Sequence, residues 1–183
     1  MPGSRVGSNG GQCERGAASS PRLDDVLPAS RDGTVLRRFR GEDLAPFHAY
    51  RSDAGLAAYQ GWSAMSIDEA RRFVEQMAAV ASLPRGDWVQ LAVADASTDR
   101  LLGDVGLHVD ADGCAAKIGF TLSRQAQGSG HATRAVHLAL ALVFAATAVE
   151  VVRAVSDARN APSIRLLLRA GFAQESTQPA WFK

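Results

Sequence analysis

Six consecutive residues, Gln127-Gly128-Ser129-Gly130-His131-Ala132, combine the properties that bind phosphate. Glycines at a helix start let the main chain approach a ligand with no Cβ in the way. The free first-turn N–H groups and the helix dipole then favour anionic oxygens. The same arrangement also serves as a plain tight turn, so alone it indicates an anion cradle and no particular reaction. Spacing argues against two other phosphate motifs. A P-loop ends in Gly-Lys-Ser/Thr, which is missing here. A dinucleotide fingerprint needs a third glycine where this chain has Thr133, and an acid late in the next strand, whereas Glu150 stands early in one.

A second group is Asn160-Ala161-Pro162-Ser163, where Asn160 suits the N-cap of a helix with proline in its first turn. His108, His131 and Asp104 are further titratable candidates, although lone histidines at element ends are commonly structural or solvent-facing. Arg37, Arg38 and Arg40 predict a solvated strand face. Cys13 and Cys114 lie far apart with no CxxC and no histidine cluster, so neither a disulfide framework nor a metal site is expected.

The elements that must position these groups are legible from periodicity. TVLRRF from Thr34 predicts a strand of imperfect alternation, suited to a sheet edge. Residues 42–52 predict a short helix. Ser66 and Glu69 form a capping box that opens a helix with Ala70, Phe73, Val74, Met77, Ala78 and Ala81 on one side, running to about Leu83. Segments 88–95, 101–110 and 114–123 predict an antiparallel meander, since their connections are short and one is Asp112-Gly113. A long helix follows the glycine turn, with apolar residues from Ala132 to Phe144 spread widely enough to predict burial against a sheet. Strand 149–156 and a helix from Asn160 to Ala170, stopped by Gly171, complete the order. The expected fold is α+β, or mixed α/β, with helices on both faces of a mostly antiparallel sheet.

The chain has 183 residues, 46% hydrophobic and 21% charged, which suits one globular domain. Its net charge of +1 points away from nucleic acid or an anionic membrane as the principal partner. No apolar run approaches the roughly 18 residues of a membrane span, and the first 20 lack a signal-peptide core, so a cytoplasmic protein is expected. Residues 1–30, rich in Gly, Ser and Pro, predict a disordered tail ahead of a domain at 31–183.

The strand order, the Q/R-x-x-G-x-G/A pattern met by Gln127, Gly128, Gly130 and Ala132, and the later NAPS…LLLRAGF together resemble the GNAT acetyltransferase superfamily. Within it, IGFTLSRQAQGSGHATRAV and SDARNAPSIRLLLRAGF are similar to the RimJ/RimL type, which acetylates ribosomal-protein N-termini. The resemblance spans roughly residues 34–182. It implies acetyl-CoA as donor and a primary amine as acceptor, either a peptide N-terminus or a small molecule such as an antibiotic or polyamine. It also implies pyrophosphate on residues 127–132 and pantetheine along the backbone of Phe120, Thr121 and Leu122. Asn160 is implied beside pantetheine, the Ser163 hydroxyl near the sulfur, and Tyr59 and Trp62 at the acceptor. Both aromatics are equally suited to a core, and Arg124 or Arg134 is within reach of a phosphate.

Several departures accompany the resemblance. Leu167 stands where a general-acid tyrosine is usual, Lys117 where a glutamate is common, and Leu168 where another glutamate precedes the closing glycine. With these missing, direct attack by a weakly basic α-amine suits the site best. A non-catalytic acyl-CoA-binding module, or an inactive fragment, is the alternative. The family's final strand has no counterpart before Lys183. The expectation is either a truncated product or a neighbouring copy that completes the sheet as a homodimer.

Overall fold

The computed structural model describes residues 22–60 and 62–177. A six-stranded sheet runs in the order β1 (Ala29–Arg31), β2 (Thr34–Arg37), β3 (Trp88–Asp95), β4 (Leu101–Val109), β5 (Ala115–Leu122) and β6 (Val151–Ala154). Every neighbouring pair is antiparallel except β5–β6, which is parallel. The α+β expectation therefore holds, and the 88–122 region is the expected meander.

One face of the sheet carries helix α5 (His131–Ala146), with Ala135, Val136, Ala139 and Val143 fully buried against Leu91, Val93, Val105, Leu107 and Ile118. The other face carries α2 (Leu44–Arg51) and α4 (Ile67–Ala79), which bury Phe47, Tyr50, Ala70, Val74 and Met77 over Ala92 and Leu101. Strand alternation divides the two cores, since successive side chains point to opposite faces. Helices α3 (Ala54–Ala57) and α6 (Ala161–Arg169) flank the site described below.

Several expectations are corrected. Residues 22–30 do not belong to a tail: α1 (Leu23–Val26) and β1 fold onto the domain, and Leu23 is 1% exposed within the α5 core. Residues 1–21 lie outside the described residues. With β1 outside it, β2 is an interior strand rather than an edge. Arg37 is not solvated; its guanidinium is buried in a bidentate pair with Asp43 at 2.7 and 2.9 Å and also meets Asp99. Helix α4 stops at Ala79 because Leu83 belongs to the opposite core cluster, which a continuing helix could not reach. Phe144 is half exposed, as α5 turns that side away from the sheet. The end of the chain, where the absent final strand was inferred, includes residues 178–183, which also lie outside the described residues. None of the described helices is long and apolar enough to cross a membrane.

Candidate active site

The site is made where two neighbouring strands part. Parallel pairing of β5 with β6 begins at Ala115↔Val151 and ends at Ile118↔Ala154. From Gly119 to Leu122, β5 continues against β4 alone, so its other edge has no strand partner among the described residues. Backbone donors and acceptors left along such an edge must find another partner or water. The crevice beyond the last pair is lined by Tyr59, Gln60, Ile118, Gly119, Phe120, Ala154, Val155, Ser156, Asn160, Ser163 and Leu167.

Below the crevice, β5 runs through a single 3-10 turn at Arg124–Ala126 into the glycine turn and α5. Gly128 and Gly130 both have φ +81°, in the left-handed region where a Cβ is costly. Gly130 is the N-cap of α5 and supplies no side-chain cap, and no acid stands in the first turn. The amides of that turn therefore lack an internal partner and face outward at the positive end of the dipole. Ser129 and His131 flank Gly130, and Ala132 follows at the second helical position.

Arg134 adds a positive charge beside the turn. Its Nη2 donates to the Ser129 carbonyl at 2.8 Å and its Nε donates to Thr34 Oγ1 at 2.9 Å. Thr34 Oγ1 also lies 2.9 Å from His131 Nδ1. Arg134 Nη2, which can only donate, also lies 3.4 Å from Nδ1, so Nδ1 is assigned as an acceptor and the threonine proton is free to go to it. Burial and then the neighbouring Arg134 charge lower the His131 pKa, consistent with a neutral ring. Gln127 turns its amide inward, donating from Nε2 to the Leu122 carbonyl at 3.1 Å. It thereby braces the turn against β5.

Arg124 instead clasps Asp53, the N-cap of α3, through Nε at 2.5 Å and Nη2 at 2.9 Å. This pair, with backbone donors of Leu56 and Gly55, lowers the Asp53 pKa to about 2. The ion pair ties the α3 segment to the base of the crevice.

At the crevice itself, Asn160 caps α6, its side chain accepting from the Ser163 amide at 3.2 Å. The capping role is thus present, and both side chains also line the crevice. Leu167, in the position where a tyrosine was sought, is buried in the same wall. Tyr59 lines the mouth, with the Arg159 guanidinium 5.8 Å from its ring centre. Trp62 lies apart from the crevice, stacked over Arg51 at 4.7 Å. There Arg51 donates to both oxygens of Asp104 at 3.0 Å, and the Tyr50 hydroxyl donates to the same carboxylate at 2.5 Å. Burial, then the Asp104 charge, pushes Tyr50 well above its usual pKa. Asp104 is therefore a structural anchor. Lys117 pairs with Asp110 at the surface and offers no base.

Gln60 was not singled out in the sequence, yet its Nε2 donates to the Phe120 carbonyl at 3.4 Å, on the unpaired edge of β5. Its only signal is adjacency to Tyr59. Among the described residues no group of three or more potential ligands could hold a metal.

A family model described as the acetyltransferase (GNAT) domain matches residues 34–173. The chain belongs to the GNAT acetyltransferase family. An uncharacterized N-acetyltransferase of Bacillus subtilis, YoaA, is 27% identical over 146 residues, covering 79% of this acetyltransferase and 81% of the relative. The spermidine N-acetyltransferase of Vibrio cholerae, solved with CoA and spermine, matches with a TM-score of 0.68 at 20% identity, covering 80% of this chain and 84% of that one. RimL, a ribosomal-protein α-N-acetyltransferase solved with coenzyme A, matches with a TM-score of 0.70 at 17% identity, covering 81% and 85%. These structural likenesses share the fold and differ in acceptor.

Acetyl-CoA is the acetyl donor of this family. The residues present fit it: an uncapped helix start behind two left-handed glycines suits a pyrophosphate, and a strand edge with no partner strand among the described residues suits amides of an extended arm.

Proposed function

We propose that this acetyltransferase moves the acetyl group to a primary amine, preferentially a weakly basic α-amine such as a peptide N-terminus, by direct attack in a ternary complex. The parting of β5 from β6 after Ile118↔Ala154 carries this reading, because it opens a crevice along the strand that leads, through one short turn, to the uncapped start of α5. When bound, acetyl-CoA supplies a thioester whose thiolate is a tolerable leaving group.

The chain's own groups are then assigned as follows. Gly128, Ser129, Gly130, His131 and Ala132 offer main-chain N–H groups to the pyrophosphate, with Gln127 holding the turn in place. The backbone of Phe120, Thr121 and Leu122 pairs with the pantetheine amides. An N–H from this stretch faces the thioester oxygen, where one preorganised donor contributes about a hundredfold in rate. The Asn160 amide steadies both α6 and the pantetheine arm. The Ser163 hydroxyl is the proton donor to the departing sulfur. Tyr59 borders the acceptor's entry, and Trp62, stacked on Arg51, is assigned to the outer part of the acceptor path.

No carboxylate and no imidazole lines the crevice among the described residues. An α-amine with a pKa of about 7.7–8.0 is already partly neutral at pH 7, whereas a lysine amine near 10.4 needs a base. Positioning alone supplies roughly 7–11 kcal/mol of barrier reduction. The related RimL acts on a protein α-amine and the spermidine enzyme on a polyamine, so both classes belong in the test. Free-thiol release is measured with alanine tripeptide amide, spermidine and an Nα-blocked lysine peptide. The α-amine should give the highest kcat/KM at pH 7, and preference for the lysine peptide would contradict the assignment.

A further inference from the structure

On the sheet face that carries α2 and α4, one cross-strand row is nearly bare of side chains. Gln90 of β3 pairs with Gly106 of β4, which pairs with Gly119 of β5. The Gln90 carboxamide lies across Gly106, where an added Cβ would sit 2.6 Å from Oε1 and 2.5 Å from Nε2. A Cβ added at Gly119 would meet nothing within 4 Å. Gly119 is also the first β5 residue past the last β5–β6 pair, and it lines the crevice. With strands about 4.8 Å apart, the carboxamide over Gly106 lies roughly one strand spacing from Gly119 and the crevice.

The carboxylates flanking this row are already engaged. Asp104 is held by Arg51 and Tyr50. On the other side Lys117 meets Asp110 at 3.1 Å, and His108 Nδ1 lies 3.3 Å from the same carboxylate. His108 Nδ1 makes no hydrogen bond, but its row ends at Lys117, where β5 still pairs with β6; Gln90 Oε1, also buried and without a hydrogen-bond partner among the described residues, lies in the row that ends at the open edge. A buried carbonyl left without a donor is destabilising, and a ligand that brings an N–H removes that penalty.

We infer that Gln90 is an acceptor-binding residue, its Oε1 taking an N–H from the incoming primary amine and presenting the nitrogen to the crevice across Gly106 and Gly119. This rests on the amine-transfer reading above. A primary amine fits this role better than an alcohol. A neutral amine can leave one N–H on Gln90 while its lone pair points at the thioester, and the product amide keeps that N–H. In the transfer a C–N bond forms as the C–S bond breaks; the nitrogen loses its other proton, and the departing sulfur gains one. An alcohol has a single O–H, which the reaction consumes.

The test uses the full chain with alanine tripeptide amide, spermidine and propylamine as probes. Gln90→Leu should lower kcat/KM for the accepted amine by about 10- to 100-fold, mostly through KM, with acetyl-CoA affinity unchanged. Its melting temperature should hold or rise, since the orphan carbonyl is gone; a merely structural glutamine would lower it. Gln90→Glu keeps an oxygen acceptor and should recover KM, with the pH–rate profile moved upward because a carboxylate retains the ammonium form. Wild-type kinetics in Q90L would overturn the inference, as would wild-type binding of acetyl-CoA with no turnover of any probe. Failure of the wild type to bind acetyl-CoA would overturn the donor site instead.

Discussion

Helices α4 and α5 begin in opposite ways. The first turn of α4 closes on itself: the Glu69 amide donates to Ser66 Oγ at 3.3 Å, the Ser66 amide donates to Glu69 Oε2 at 2.7 Å, and Asp68 adds a second acid. The first turn of α5 has glycine as its cap, no acid and no side-chain acceptor, with Arg134 beside it. One helix satisfies its own donors and dipole, whereas the other leaves both available. A protein able to write a capping box at residue 66 has forgone one at residue 130, and the stability forgone there is what a phosphate can recover.

Gly130→Val attacks the open end directly. A left-handed φ costs a side-chain-bearing residue about 1–2 kcal/mol, and the new Cβ would sit 2.7 Å from the movable Arg134 Nη1. The fold should survive with a lower melting temperature, while acetyl-CoA affinity measured by calorimetry falls about a hundredfold or more.

Thr133→Glu makes α5 resemble α4 by placing an acid at the third helical position. Stability should rise by about 0.3–1 kcal/mol in denaturant titration. Acetyl-CoA affinity should fall about tenfold, because the new charge faces the phosphates at a water-exposed distance. Opposite signs in the two measurements would sharpen the contrast; a loss in both would weaken it.

Ser66→Ala is the mirror experiment at the closed end. Unfolding should show a loss of about 1 kcal/mol with acetyl-CoA affinity unchanged. The smallest effect concerns His131. Its folded pKa is lowered, so the unfolded chain binds more protons near and below its usual value of about 6.5. Its contribution is complete above that pH and is lost as pH falls toward the folded value. A His131→Gln variant should therefore show a shallower loss of stability on acidification below about pH 6.5.

The two helix starts were also unequally legible in the sequence. Ser66 with Glu69 declared a cap at fixed spacing, and QGSGHA declared an uncapped turn, because both signals lie within six residues. The meander followed from short connections, and α5 from its apolar spread. What stayed hidden depended on distant partners or on brevity. A four-residue helix and a three-residue strand at 23–31 are too short to show a period. Arg37 looked solvated because one of its carboxylates, Asp99, is 62 residues away. At the site, Asn160 could be placed by its capping pattern. Trp62 could not, since its partner Arg51 lies on a different element. Gln60 and Gln90 look like any polar residue beside an apolar one until the sheet register sets them at the edge of β5 and over Gly106.

Amide hydrogen exchange on the wild-type chain, with and without acetyl-CoA, tests the central contrast most directly. Binding should slow exchange at residues 130–133 and 120–122, while residues 67–69 at the start of α4 exchange at the same rate in both samples. Unchanged exchange across the first turn of α5 in a sample saturated with acetyl-CoA would contradict the account.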